Sequence, residues 1–250
     1  MSESVRFEQT RHESMLVVRF AHARSRNALD RATRAALVDV LRDADADPDV
    51  RVVILTGTDP AFTSGVDARQ LLEPDYRPLP VDPATALRAL DTPTIAAVNG
   101  ACVSGGLEIA LACSFIIASE RAAFADTHAR LGLTPGWGLS ADLPARVGAA
   151  RARQLSLTGL PLDAETALRW GLVNEVVVHA ELHRRVEELA AAIATASDRS
   201  IRNTVALSRS ALDDQVRAAR QRERHVLATW HVDRDDARLA FDQRVSPPST

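Results

Sequence analysis

The sequence predicts an α/β fold with parallel strand pairing, followed by a run of helices. Three observations carry this. Apolar, strand-like runs alternate with turns and helical patterns up to about Ser140. Past Ser140 helical periodicity takes over almost entirely. With 250 residues, 46% of them hydrophobic, the chain can furnish a sizeable core.

Val5 to Phe7 and Met15 to Phe20 read as strands joined by the turn-prone His12-Glu-Ser14. From Asp30 to about Ala46, apolar residues Ala35, Leu37, Val38, Leu41 and Ala44 fall at helical spacing, and Asp47-Pro48 ends the run. A strand follows at Val52–Leu55. Glu73 to Pro83 holds four prolines in eleven residues and reads as a loop. A helix from Ala84 to about Leu90 leads to a strand at Thr94–Val98. Leu107–Cys113 is helical and Phe115–Ala118 is again a strand. Helices follow at Ala141–Val147, Ala149–Leu157 and Asp163–Trp170, then a last strand at Val173–Val178. Helical patterns fill Leu182–Ala196, Asp198–Ala211, Gln215–Trp230 and Asp233–Arg244, and Ser246-Pro-Pro-Ser-Thr250 has nothing to bury. No internal repeat is visible.

Composition narrows the function. A net charge of −3 gives no sign of nucleic-acid or membrane-surface binding. No apolar stretch is long enough to span a bilayer, and the N-terminus lacks the pattern of a signal peptide, so a cytoplasmic protein is expected. All 30 basic residues are arginine, which excludes Schiff-base lysine chemistry and leaves phosphate or carboxylate contacts to guanidinium groups. Cys102 and Cys113 do not make a disulfide framework and sit in apolar surroundings. The histidines other than His128 show no metal-ligand spacing.

The informative stretches are Ala61-Phe-Thr-Ser-Gly-Val-Asp67 and Asn99-Gly-Ala-Cys-Val-Ser-Gly-Gly-Leu-Glu108. Each is a Gly- and Ser-bearing turn between a strand-like run and a helical pattern. Two such turns can each aim a backbone N–H at one point, as an oxyanion hole requires. Glu108 lies one turn into the second helix, and helical side chains tilt back toward the N-terminus, so its carboxylate can reach that point. Its neighbours Leu107, Ile109, Ala110, Leu111 and Ala112 make the helix apolar nearly all round, hence buried. A buried carboxylate needs partners or a protonation role. The combination suggests chemistry on an activated carbonyl.

With these residues, the chain resembles the crotonase (enoyl-CoA hydratase/isomerase) superfamily from about Val5 to Arg244. The shared features are Arg26-Asn-Ala-Leu29, Ala61-Phe-x-x-Gly-x-Asp67, Asn99-Gly-x5-Gly-Leu-Glu108, Gly132-Leu-Thr-Pro-Gly136 and Ala167-Leu-Arg-Trp-Gly-Leu-Val173, in family order. The resemblance implies an α/β spiral of ββα turns over residues 1–195, carrying an acyl-CoA site. It also implies a C-terminal helical trimerisation region over 196–250, and a homotrimer or dimer of trimers. It implies an enoyl-CoA hydratase-like lyase with no metal or redox cofactor, coenzyme A being part of the substrate. Other enolate reactions on acyl-CoA (isomerisation, thioester hydrolysis, decarboxylation) and a non-catalytic acyl-CoA binder are the alternatives.

Residue by residue, the resemblance puts the oxyanion hole at the N–H groups of Val66 and Gly105. Glu108 matches the first of two glutamates that hydratases of the family use on water. The second falls on His128, within Phe124-Ala-Asp-Thr-His-Ala129. His128 either shares proton transfer, which imidazole can do near neutrality, or lines the pocket. Asp126 reads as solvated at a turn, with orientation of the imidazole as the other reading. Arg24, Arg26 and Ala28 match the loop that holds coenzyme A, where a merely solvated arginine is the plain alternative. Ser64, Asp67, Gly106, Thr127, Gly136 and Trp137 complete the expected substrate contacts. Asp67 is also expected to fix its turn or cap a helix. Trp137 either narrows the acyl pocket or packs in the core.

Overall fold

The computed structural model describes residues 5–71, 79–211 and 214–229. Strands β1 (Phe7–His12) and β2 (Met15–Phe20) form an antiparallel hairpin. The first strand thus lies later than Val5–Phe7. It is largely polar and exposed, so apolar content could not locate it. Helix α1 (Arg31–Ala46) is capped by Asp30, whose carboxylate accepts from the Thr33 N–H at 2.8 Å, and it buries Leu37, Val38, Leu41 and Ala44.

The chain then winds in repeating turns. Strand β3 (Val52–Gly57) is followed by β4 (Ala61–Thr63), helix α2 (Ala68–Leu71) and helix α3 (Pro83–Ala89). Strands β5 (Thr94–Val98) and β6 (Ala101–Val103) lead into helix α4 (Gly105–Ala112). Strands β7 (Phe115–Ser119) and β8 (Ala123–Ala125) precede helices α5 (Leu139–Val147) and α6 (Ala149–Thr158). Strand β9 (Leu162–Asp163), helix α7 (Ala164–Trp170) and strand β10 (Glu175–Val177) close the sheets. Helices α8 (Leu182–Ala194), α9 (Asp198–Ser210) and α10 (Asp214–Thr229) follow.

Each turn gives one strand to each of two sheets. The larger has the order β1-β2-β3-β5-β7-β10, parallel from β2 onward. The smaller has the order β4-β6-β8-β9, with β4, β6 and β8 parallel and β9 antiparallel. This is a spiral of ββα turns, repeated in structure though not in sequence. The small sheet is the part that the sequence analysis misses. Its strands are two or three residues long, too short to show a period, and they lie inside segments that read as turns.

The central strands β3, β5 and β7 of the large sheet are buried on both faces, as parallel strands with helical crossovers are. Val53, Leu55, Ala96, Val98, Ile116 and Ala118 belong to the main core, whereas Val52, Ile54, Ile95, Ala97 and Ile117 face Leu182, Val186 and Ala190 of α8. Alternate residues of continuous apolar strands therefore enter two cores. Cys102 and Cys113 are free and buried; burial pushes the Cys102 thiol well up and that of Cys113 to about 12, so both stay protonated. No helix of the described residues is long and apolar enough to cross a membrane. Residues 72–78, most of the proline-rich segment, fall outside the described residues, as do the expected helix at 233–244 and the tail.

Candidate active site

The parallel strands β4, β6 and β8 end side by side, and each hands over to an expected site residue: Val66, Gly105 and His128 respectively. Side chains and N–H groups beyond the carboxyl ends of adjacent parallel strands converge in space.

Val66 pairs in parallel with Leu29, where Leu29 N–H donates to Gly65 O and Asp67 N–H donates to Leu29 O. In that pattern the Val66 N–H points away from Leu29. Gly105 lies on the other side: a Cβ built on it would sit 3.4 Å from Val66 N. Gly65 permits this approach with φ of +84° and a Cβ position only 2.8 Å from Gly105 N. Gly105 opens α4, so its N–H has no partner within the helix. The preceding Ser104 is strained at φ 48°, ψ −108°. It is held there by its N–H to Ala125 O, a hydroxyl contact of 2.9 Å with Thr127 Oγ1, and the Thr127 N–H to its own Oγ. Such strain costs on the order of 1–3 kcal/mol and persists only where neighbours impose it.

All eight residues of α4 are buried, Glu108 among them at 3% exposure. Glu108 Oε1 accepts from the Trp137 N–H at 2.7 Å and the Leu139 N–H at 3.3 Å, which leaves Oε2 for other partners. Burial drives its carboxyl up to about 7; the nearby His128 and the two N–H donors pull down, and Glu223 pushes further up.

His128 Nε2 lies 3.9 Å from Glu108 Oε2, and its Nδ1 lies 2.7 Å from Asp126 Oδ1. The His128 N–H also donates to Asp126 Oδ1. Asp126 is 2% exposed, which corrects its reading as a solvated turn residue. Burial works to raise the Asp126 carboxyl, and its bonds with His128 outweigh that and hold it low. An ionised Asp126 can only accept, so Nδ1 carries a proton and Nε2 is the variable position. Burial opposes a charge on His128, but Asp126 and Glu108 together raise its pKa.

The remaining expected residues divide. The Trp137 ring lies over Gly105, with Cζ3 3.1 Å from where a Cβ would be, and it packs against the core, in line with its packing reading. Thr127 braces Ser104. Gly106 packs inward: a Cβ there would sit 2.4 Å from Thr63 O. Asp67 is turned to Arg69 and Arg6, at 3.0 and 3.2 Å, and its carboxylate also takes the Arg69 N–H. It fixes the turn through these bonds. Gly136 is covered by Leu227 of α10.

In the Ala23–Asn27 loop, Arg24 and Arg26 are exposed, and neither forms an ion pair among the described residues. The loop is held by Asn27, which sequence reasoning treated only as part of a motif. Its side-chain amide donates to Thr58 O and Ala61 O at 2.7 Å, and its Oδ1 accepts the His22 N–H. Ser64 ties in through its N–H to Arg26 O and its hydroxyl to Ser25 O, and the Ala28 carbonyl accepts from Arg6. No group of three or more His, Cys, Asp or Glu among the described residues could hold a metal ion.

The site thus sets a buried carboxyl raised toward neutrality and an imidazole backed by aspartate beside the close approach of Val66 and Gly105, an arrangement equipped to move protons. The chain belongs to the enoyl-CoA hydratase/isomerase family, whose profile matches residues 10–247, and it is a hydratase-like member of the crotonase superfamily. It is 40% identical over 190 residues to the probable peroxisomal enoyl-CoA hydratase 1 of Arabidopsis thaliana, covering 74% of this chain and 72% of that one. It is 38% identical over 196 residues to the carnitinyl-CoA dehydratase of Escherichia coli K12, covering 76% and 74%. The enoyl-CoA hydratase structure from Mycobacterium avium superposes with a TM-score of 0.82 at 39% identity, covering 95% of this chain and 99% of that one. The enoyl-CoA hydratase/isomerase from Pseudoalteromonas atlantica superposes at 0.88 with 28% identity, covering 98% and 100%.

Proposed function

We propose that the protein adds water across the double bond of a 2-enoyl-CoA thioester, with Glu108 and His128 sharing the proton transfers. The observation that carries this reading is the 3.9 Å separation of Glu108 Oε2 and His128 Nε2. One water placed beside the pair is within hydrogen-bond reach of both atoms. Family membership and the similarity to enoyl-CoA hydratases support the same reaction.

In this mechanism the thioester oxygen lies against the N–H groups of Val66 and Gly105. His128 Nε2 takes a proton as the water oxygen bonds the β-carbon, and the π electrons move to an enolate held by those N–H groups. The protonated Glu108 gives its proton to the α-carbon. The net transfer from Glu108 to His128 is reset by passing the proton back between the two. Only one of the pair needs the proton at a time, and their mutual coupling favours that. Arg24 and Arg26 would meet the phosphates of coenzyme A, which belongs to the substrate; no metal or redox group takes part.

Steady-state assays on crotonyl-CoA and longer enoyl-CoAs test this, with products identified by mass. Hydration adds the mass of one water, whereas isomerisation leaves the mass unchanged. Absence of turnover above the Glu108→Gln background on every chain length would overturn the proposal. We further propose a cytoplasmic homotrimer or dimer of trimers, with residues 196–250 as the assembly region. Leu207 of α9 and Val226 of α10 are exposed at 69% and 45%, which supports a buried role for these helices between subunits. Light scattering that returned the mass of a single chain would remove the oligomer.

A further inference from the structure

Several buried carboxylates near the site are unused by this mechanism, and Glu223 is the one that bonds the same turn as Glu108. Glu223 sits on α10, a helix with acidic and basic residues along its length, yet Glu223 is only 7% exposed. It accepts from the Gly138 N–H at 2.5 Å, from the Ser140 N–H at 2.7 Å and from the Ser140 hydroxyl. These N–H groups alternate along the chain with those of Trp137 and Leu139, which donate to Glu108. The N–H groups at the N-cap and first two positions of α5, with that of Trp137 just before them, are therefore divided between two carboxylates. Neither can move without displacing the turn that holds the other.

We infer that Glu223 is a positioning residue that fixes the 137–140 turn from the C-terminal helix and thereby aims the Glu108 carboxylate. This rests on the reading of Glu108 as the acid–base group. Neighbouring contacts clamp the same segment. One turn away on α10, Arg220 pairs with Asp142 at 2.5 Å, and Asp142 also pairs with Arg88 at 3.0 Å. Arg88 donates to the Trp137 carbonyl at 2.7 Å. Leu227 lies against Gly136. Residues 220, 223 and 227 share one helix face, so α10 grips 136–142 at three points. The charged groups around Glu108 are His128 with Asp126 behind it, Glu223 from α10 and Arg88 from α3.

The test is Glu223→Gln against Arg217→Gln, which breaks an exposed ion pair with Asp214 in the same helix and leaves the bonds from α10 to 136–142 in place. Three readouts are used: kcat and KM, the pH profile of kcat/KM, and infrared titration of the buried Glu108 carboxyl assigned by its loss in Glu108→Gln. Glu223→Gln is expected to lower kcat by about tenfold to a hundredfold with KM within a few-fold. It should also move the Glu108 titration to lower pH, because a negative neighbour is gone. Arg217→Gln should leave kcat within a few-fold and that titration in place. Equal behaviour of the two variants, or an unmoved titration and a kcat within a few-fold in Glu223→Gln, overturns the inference. If Glu223→Gln does not fold, Ser140→Ala removes one donor to Glu223, and an unchanged kcat there overturns it as well. A wild-type protein with no hydratase activity removes the proposed reaction, while the infrared titration still decides the role of Glu223.

Discussion

His128 and Asp126 are joined by a 2.7 Å hydrogen bond from Nδ1 to Oδ1, although only Thr127 separates them in the chain. That bond fixes the tautomer and leaves Nε2 facing Glu108. Asp126→Asn removes the charge that favours imidazolium, so the His128 limb in kcat/KM should move to lower pH. It should also cost on the order of 10² in kcat, the lower end of an acid–base contribution. A pH–rate profile superimposable on wild type would show that Asp126 only fills space.

The stability of the protein should fall as pH rises through the Glu108 titration. Its carboxyl is raised from 4.5 to about 7 in the fold, so the native state binds more protons than the unfolded chain between those values. The loss amounts to on the order of 3 kcal/mol across that window. His128, also raised, loses its contribution in the same direction. Urea unfolding at several pH values should show Glu108→Gln gaining on wild type toward pH 8 and converging with it near pH 4.5. Parallel curves would mean that Glu108 is not held against its charge.

Adjacent glycines in α4 should fail differently. A Gly105→Ala Cβ would crowd the Trp137 ring and the Val66 N–H, at 3.1 and 3.4 Å, where the thioester oxygen is to bind. It should cut kcat by about 10²–10³ with little change in Tm. Gly106→Ala instead drives a methyl to 2.4 Å from a backbone carbonyl and should destabilise by about 1–3 kcal/mol. Thermal melts run beside kinetics separate the two, and reversed effects would dislodge the oxyanion assignment.

Arg24→Met with Arg26→Met should raise KM for enoyl-CoA while leaving kcat within a few-fold, because remote phosphate contacts act on ground state and transition state alike. The same variant should turn over an enoyl-pantetheine ester, which lacks the nucleotide, as wild type does. Equal KM values for enoyl-CoA in variant and wild type would show that these arginines are only solvated.

Much of this protein is written locally in its sequence. The caps Asp30 and Asp163, the apolar stripe of α1 and the unbroken apolar strands β3 and β5 each satisfy their own chemistry within a few residues. The burial of Glu108 was legible because its helix is apolar on every side. What only tertiary structure decided lies across long separations in the chain. Strands of three residues carry no period and exist because neighbours 20 to 40 residues away supply their ladder, as Ala61 finds Ala101 and Ala101 finds Ala123. That small sheet brings Val66, Gly105 and His128 together, and burial at its end turned Asp126 from a solvated turn residue into the partner of His128. Glu223 had no local signal at all: it is one charge in a helix of charges, and only the packing of α10 on α5, 83 residues from Ser140, makes it a buried acceptor. Local propensity and periodicity act over a few residues, whereas desolvation and hydrogen-bond partners are set by whatever the fold places alongside.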